Sequence, residues 1–216
     1  LVSLASQVTT TDFGVMSRQE DNPVPFEHQF YRAALKGLFS LNLREVGRFS
    51  YVQRTGYLHL DSNRVNEARG ADLTEDTAKK HFTLPAAERI RRVDSLFRGL
   101  SLLEGGAKLA MHYTDVAPPF VAFAVTKGGN HIFNYLVDAK ADGQPSITSD
   151  RLRDIISVWS DTILGGPYVG WAPGYQEEQR RDFAGAVEEP KIVHPRQAFA
   201  QFSEDLRARG AEWFAE

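Results

Sequence analysis

Two adjacent stretches restrict what this chain can fold into. Ile90, Val93, Phe97, Leu100 and Leu102 or Leu103 keep the i, i+3, i+4, i+7 spacing of one buried helical stripe, and Pro85 stands where such a helix starts. Gly105 stops it, as a glycine beyond a helix C-terminus should. Past Pro118 and Pro119, Phe120 to Val125 is almost wholly apolar and reads as a buried central strand. A helix with one apolar stripe and a strand with two apolar faces must cover one another. The pattern therefore predicts an α+β fold, with helices on one face of an antiparallel sheet.

The other elements are read on the same terms. Lys127, Gly128, Gly129 and Asn130 make a tight turn, and Ile132 to Val137 is the expected hairpin partner of the apolar strand. Asp142, Gly143, Gln144 and Pro145 break that strand. Ser149 caps a helix through Leu152, Ile155, Ile156, Trp159 and Ile163, ended by Gly165 and Gly166. Pro167 to Pro173 is a short aromatic segment, and Pro195 opens a last amphipathic helix with Phe199, Phe202 and Leu206. Upstream, alternation about Leu35, Gly37, Phe39 and Leu41 predicts a strand from about Tyr31 to Leu43, with a second from Phe49 to Leu58. Between Asp61 and Lys80 a loop is expected, or a short helix after Thr74. Residues 1 to 30 begin with a helix-like apolar start at Leu1, Val2, Leu4 and Ala5. They continue as a polar excursion through Thr9, Thr10, Thr11, Asp12, Phe13, Gly14, Met16 and Arg18.

Composition excludes several classes. The absence of cysteine removes disulfides, thiolate metal sites and a cysteine nucleophile. No two of the six histidines have the spacing of a helical metal motif, so neither a metal nor another cofactor is expected. No apolar run approaches the roughly 20 residues that span a bilayer, and no secretory signal is present, so a cytoplasmic location without a membrane partner is expected. The net charge of −3 hides an uneven distribution. Phe30 to Gly56 carries Arg32, Lys36, Arg44, Arg48 and Arg54 against Glu45 alone, a local +4.

Chemistry concentrates at a glycine pair and a lysine, Gly105, Gly106, Ala107 and Lys108, followed by Met111, His112, Tyr113, Thr114 and Asp115. Open glycine backbone beside a lysine suits a phosphate. Arg89, Arg91, Arg92 and Arg98 lie off the apolar stripe and read as a solvated face. An enzymatic alternative would pair His112 with Asp115, or Asp12 with Ser6, as acid and base on a small phosphate substrate. No nucleophile elbow, phosphate loop or dinucleotide fingerprint accompanies those residues, and the chain is read as not an enzyme.

Thr9 to Gly14, then Pro25, Phe26, Glu27, His28, Phe30 and Tyr31 leading into Leu35 to Leu41, and later Gly105 to Lys108 with His112 to Asp115, resemble one family. It is the Cascade backbone subunit of type I CRISPR interference complexes, the DevR-type branch of the Cas seven proteins, most similar to type I-B members. The resemblance covers the chain to about Val137. It implies an RNA-recognition-motif (ferredoxin-like) palm, residues 31–216 with an inserted loop at about 61–84, and a thumb-like insertion over residues 1–30. It also implies partners: a CRISPR guide RNA, target DNA paired to that guide, neighbouring copies of the chain and other Cascade subunits. Family members begin with a further strand and helix, so Leu1 is expected to lie inside a longer protein. The residues expected to bind RNA are Thr9, Thr10 and Thr11 as hydroxyl donors, Phe13 and Met16 as wedges, and Arg18, Lys36, Arg44, Arg48, Lys108 and His112 as backbone ligands. A single-copy capping subunit of the same complex uses the same fold and is the alternative.

Overall fold

Glu88 in the first turn and Arg98 in the last complement the dipole of helix α2 (Ala86–Ser101), which starts directly after Pro85 as expected. The helix ends at Ser101, one turn before Gly105. The computed structural model describes residues 2–17, 23–52, 59–105, 116–187 and 190–215, of which 2–17 and 23–33 are described by backbone and register alone. Among the described residues the protein is mixed α and β, compatible with the α+β class, with five helices and small antiparallel sheets. They fall into two compact units, Leu1–Phe39 with His131–Ile155, and Ser40–Asn130 with Ile156–Glu216.

In the second unit, strand β6 (Phe120–Thr126) alternates as a half-covered strand does: Val121, Phe123 and Val125 are buried and their neighbours half-buried. Its partner is not the expected 132–137 segment but β9 (Ile163–Trp171), antiparallel with Phe120 opposite Trp171 and Phe123 opposite Tyr168. Helix α5 (Pro195–Trp213) lies on β9 and against α2. Its N-terminus is closed by a capping box in which His194 accepts from Arg196 N and Gln197 answers at the His194 N–H. Phe202 sits at the centre of the core, its ring 4.1 Å from Phe97 and within 6.1 Å of Phe123, Tyr168 and Trp213. Helix α1 (Ser62–Arg69) is capped by Asp61, which accepts from Arg64 N at 2.8 Å. It stands where a loop was expected, ahead of Thr74. A three-stranded sheet β3-β5-β4 is formed by Arg48–Ser50, His81–Thr83 and Thr74–Asp76. Of the expected Phe49–Leu58 strand only its start is paired, and residues 53–58 lie outside the described residues. Helix α4 (Glu177–Ala186) was not expected.

The helix through Ile163 to Gly165 stops early. Helix α3 is Ser149–Val158, and the glycines read as its stop belong to β9. A Cβ on Gly165 would lie 2.6 Å from the Trp213 ring, and one on Gly170 would lie 2.5 Å from Pro195 Cα. They are close-approach glycines of a strand crossed by a helix.

In the first unit, β1 (Val2–Ser17) pairs along its length with β2 (Pro23–Lys36). The helix-like start is therefore extended, and the strand expected to reach Leu43 ends at Lys36. The segment 132–136 is a run of turns, because β7 (Val137–Ala139) and β8 (Pro145–Ile147) close a local hairpin. Lys140 and Gln144 join its ends, Lys140 N to Gln144 O at 2.8 Å, and Gly143 at φ +78 makes the reversal. The residues read as a strand breaker are the hairpin turn.

Two outcomes follow from this core. Phe202→Ala should lower unfolding free energy by about 3–5 kcal/mol, measured by urea titration, because a fully enclosed aromatic leaves a cavity. One terminal nitrogen of Arg207 of α5 donates to both carboxylate oxygens of Asp94 of α2, each at 3.1 Å. Burial opposes its ionisation, but Ser203 and Arg207 outweigh it and hold the carboxyl below its ordinary 3.8. A depressed carboxylate contributes stability above its unfolded pKa and loses it as pH falls through the folded one. The stability gap between wild type and Asp94→Asn should therefore be constant near neutral pH and narrow as pH falls below about 4; a gap that does not narrow with acidification would contradict the ion pair.

Candidate nucleic-acid interface

The ribbon β1–β2 carries the threonine stretch. At about 3.4 Å per residue its paired arms extend roughly 50 Å, and neither outer edge has a strand partner among the described residues. The register places Thr10 opposite Phe30, Thr11 opposite Gln29, Phe13 opposite Glu27 and Met16 opposite Val24. Thr9 falls at the register shift between Val8 and Thr10. Three positions separate Phe13 from Met16 with no shift between them, so the two wedge candidates occupy opposite faces of the ribbon. Ser6 and Asp12, an alternative acid and base pair, stand six residues apart on one extended strand, about 20 Å. Arg18 lies outside the described residues.

Lys36, at the end of β2, turns inward within its own unit. Its ammonium donates to the carbonyls of Asn134 and of Val137, the latter at 3.0 Å. Arg151 holds the same turn, donating to Tyr135 O at 3.1 Å and to Asp138 at 3.3 Å. The Asp138 carboxyl is held below its ordinary value by the Ala139 N–H first, and by Arg151 and Lys36 nearby.

In the second unit Arg44 lies on the turn over residues 43–47, and Arg48 opens β3 directly after it. Arg44 is exposed and its guanidinium has no partner among the described residues; its backbone N–H donates to Asn42 Oδ1 at 3.1 Å. Arg48 meets Glu45 at 3.3 Å, while its Nε is buried without a partner. Beneath them is a residue that the sequence reading placed on the surface. Arg89 is 7% exposed; its Nε donates to Val46 O at 2.7 Å, and one terminal nitrogen donates to Leu43 O at 3.0 Å and Arg44 O at 3.1 Å. Its guanidinium lies 4.1 Å from the centre of the Phe214 ring. Burial first, and then Arg48 nearby, lower its pKa, with Glu45 opposing. The signal was present in the spacing: Arg89, Val93 and Phe97 are i, i+4 and i+8 on one face.

Lys108, His112 and the His112–Asp115 pair lie outside the described residues. A groove of about 450 Å³ in the second unit is lined by Tyr168, Lys191, Gln201, Glu204 and Asp205, between Pro167 and Pro190. Tyr168 donates to Asp205 at 2.6 Å, and burial, with that bond, raises its pKa far above its ordinary 10. Two carboxylates and an un-ionised phenol make this groove a poor phosphate site. No group of three or more His, Asp or Glu among the described residues could hold a metal ion, and no helix there is long and apolar enough to cross a membrane.

Lys36→Met keeps the apolar stem and leaves two carbonyls without their donor. It should cost about 1–3 kcal/mol in a urea titration; an unchanged midpoint would release Lys36 from this structural role. No family model matches the chain, nor does any curated protein or solved structure.

Proposed function

We propose that the chain is a guide-RNA-binding backbone subunit of a type I CRISPR (Cascade) complex, with the β1–β2 ribbon as its thumb. The observation that carries this reading is the ribbon: residues singled out by resemblance as a thumb form a long two-stranded arm bearing Thr9, Thr10, Thr11, Phe13 and Met16. A two-stranded hairpin is marginal by itself in water, so an arm of this length is best explained by a partner that covers it. RNA bound without sequence preference needs hydroxyls and cations for its backbone and apolar side chains for its bases. The ribbon supplies the hydroxyls and wedges, and Arg44 and Arg48 supply cations.

On this reading the helices α2 and α5 packed on β6–β9 belong to an RNA-recognition-like palm. Several copies follow one guide in the cytoplasm, each thumb interrupting the guide so that target DNA pairs in segments beside the other subunits. Met16 and Phe13, on opposite faces, would border two neighbouring segments of the guide rather than enter one step together. Lys108 and His112 keep their roles as backbone ligands.

The test shortens the thumb without disturbing its base. Replacing residues 11–29 by a two-residue Asn-Gly turn joins the register pair Thr10 and Phe30 through a turn suited to hairpins. Coexpressed with a guide, the wild-type chain should give a particle of several copies by native mass measurement and protect RNA at a regular interval. The shortened chain should remain folded and lose the periodicity. One copy per particle would favour the capping subunit, and a particle without RNA would overturn both readings.

A further inference from the structure

The loop from Asn42 to Arg48 is built inside out. Three of its carbonyls, those of Leu43, Arg44 and Val46, point to the buried guanidinium of Arg89. Its far end is fixed by Leu84 N donating to Gly47 O at 2.9 Å. Gly47 has φ +70, and a Cβ there would lie 3.0 Å from Arg89 Cγ and from Leu84 Cδ1, so the loop rests directly on its clamp. The negative ends of these peptides are thereby directed inward.

The charges around this loop do not balance. Among the described residues, Arg89 is satisfied by neutral carbonyls and an aromatic face, not by a carboxylate. Arg48 shares one 3.3 Å contact with Glu45 and leaves a buried Nε–H unused. Arg44 has no partner among the described residues. Among the described residues, three guanidiniums at this half-enclosed loop therefore meet the one carboxylate of Glu45, an excess of two positive charges. Planar guanidinium forks match the paired oxygens of phosphate groups, as they do those of carboxylates, by two parallel N–H···O bonds.

We propose that the Asn42–Arg48 loop is a phosphate-binding element in which Arg44 and Arg48 are the ligands and Arg89 is the positioning residue that sets their geometry from inside. The inference rests on the RNA-binding reading for the source of the phosphate, a guide backbone, and names the site on the second unit that takes it. A free polyphosphate has the same chemistry and is the other source.

The experiment follows fluorescence anisotropy of a labelled single-stranded uridine 20-mer across a potassium chloride series, using the full chain. Each lost phosphate contact should lower the salt slope by about 0.7. Arg44→Gln with Arg48→Gln should lower it by about 1.4, two such contacts. Arg89→Lys retains the charge but not the fork. By itself it should reproduce that loss, and added to the double variant it should change nothing further. A slope unchanged by the surface double variant overturns the site, whatever becomes of the Arg89 variant. Loss from Arg89→Lys that adds to the double variant overturns the positioning role, and so does a folded Arg89→Lys chain with the wild-type slope. Wild-type chain that binds no RNA overturns the proposed function instead. Calorimetry with tripolyphosphate then decides the loop: heat in the wild type that is lost in the double variant supports it, and no heat in the wild type overturns it.

Discussion

The close crossing of α5 over β9 is the contact on which the second unit depends. It requires two strand positions without side chains, Gly165 under Trp213 and Gly170 under Pro195. With those positions empty, the helix descends far enough for Phe199, Phe202 and Leu206 to meet Phe123 and Tyr168 of the sheet and Phe97 of α2. The core is therefore aromatic and tightly nested, and α2 is held at a fixed distance from the loop that precedes β3. Arg89 reaches that loop only because α2 is so placed. Packing in the core and the shape of the arginine loop are one mechanical system.

Cations in both units serve as internal caps for carbonyl groups. Lys36 gathers Asn134 and Val137; Arg89 gathers Leu43, Arg44 and Val46. A long side chain with several donors can satisfy irregular backbone that no strand or helix pairs, which is a strong requirement for buried carbonyls. Basic residues in such a chain divide into those that hold loops from beneath and those left outside. Exposure and partners separate the two groups, and sequence position does not.

This division marks how far the sequence could be read. Elements with a period and a cap were legible: α2 after Pro85, β6, α3 from Ser149 and α5 from Pro195 lie where their patterns put them. Pairing was not, because β6 finds β9 across an intervening helix while the nearby 132–137 segment is taken by turns and a local hairpin. Glycine misled for a similar reason. At Gly165 the residue that commonly ends a helix instead admits one, and only the neighbour Trp213 distinguishes the cases. For the candidate site, the ribbon residues were singled out through resemblance and their extended form was not foreseen. Arg44 and Arg48 were found from local charge. Arg89 was missed because arginine on an apolar stripe was treated as a surface residue, although its spacing to Val93 and Phe97 said otherwise.

The net charge conceals an uneven distribution for a reason visible in the ion pairs. Arg91 and Arg92 converge on Glu88, whose carboxyl they hold down to about 2. Arg180 and Arg181 share Glu177, Arg64 meets Glu67 and Arg153 meets Asp150. Such exposed pairs add little stability, but each cancels the field of an arginine within one helical turn. The carboxylates of these pairs are thus consumed locally on the helices, whereas the Asn42–Arg48 loop has only Glu45 for its two outward arginines and rests on a third. An acidic total is compatible with a locally basic element because the acids are placed where they neutralise helix faces. The field a polyanion would meet near that loop is set by the pairs that are not made.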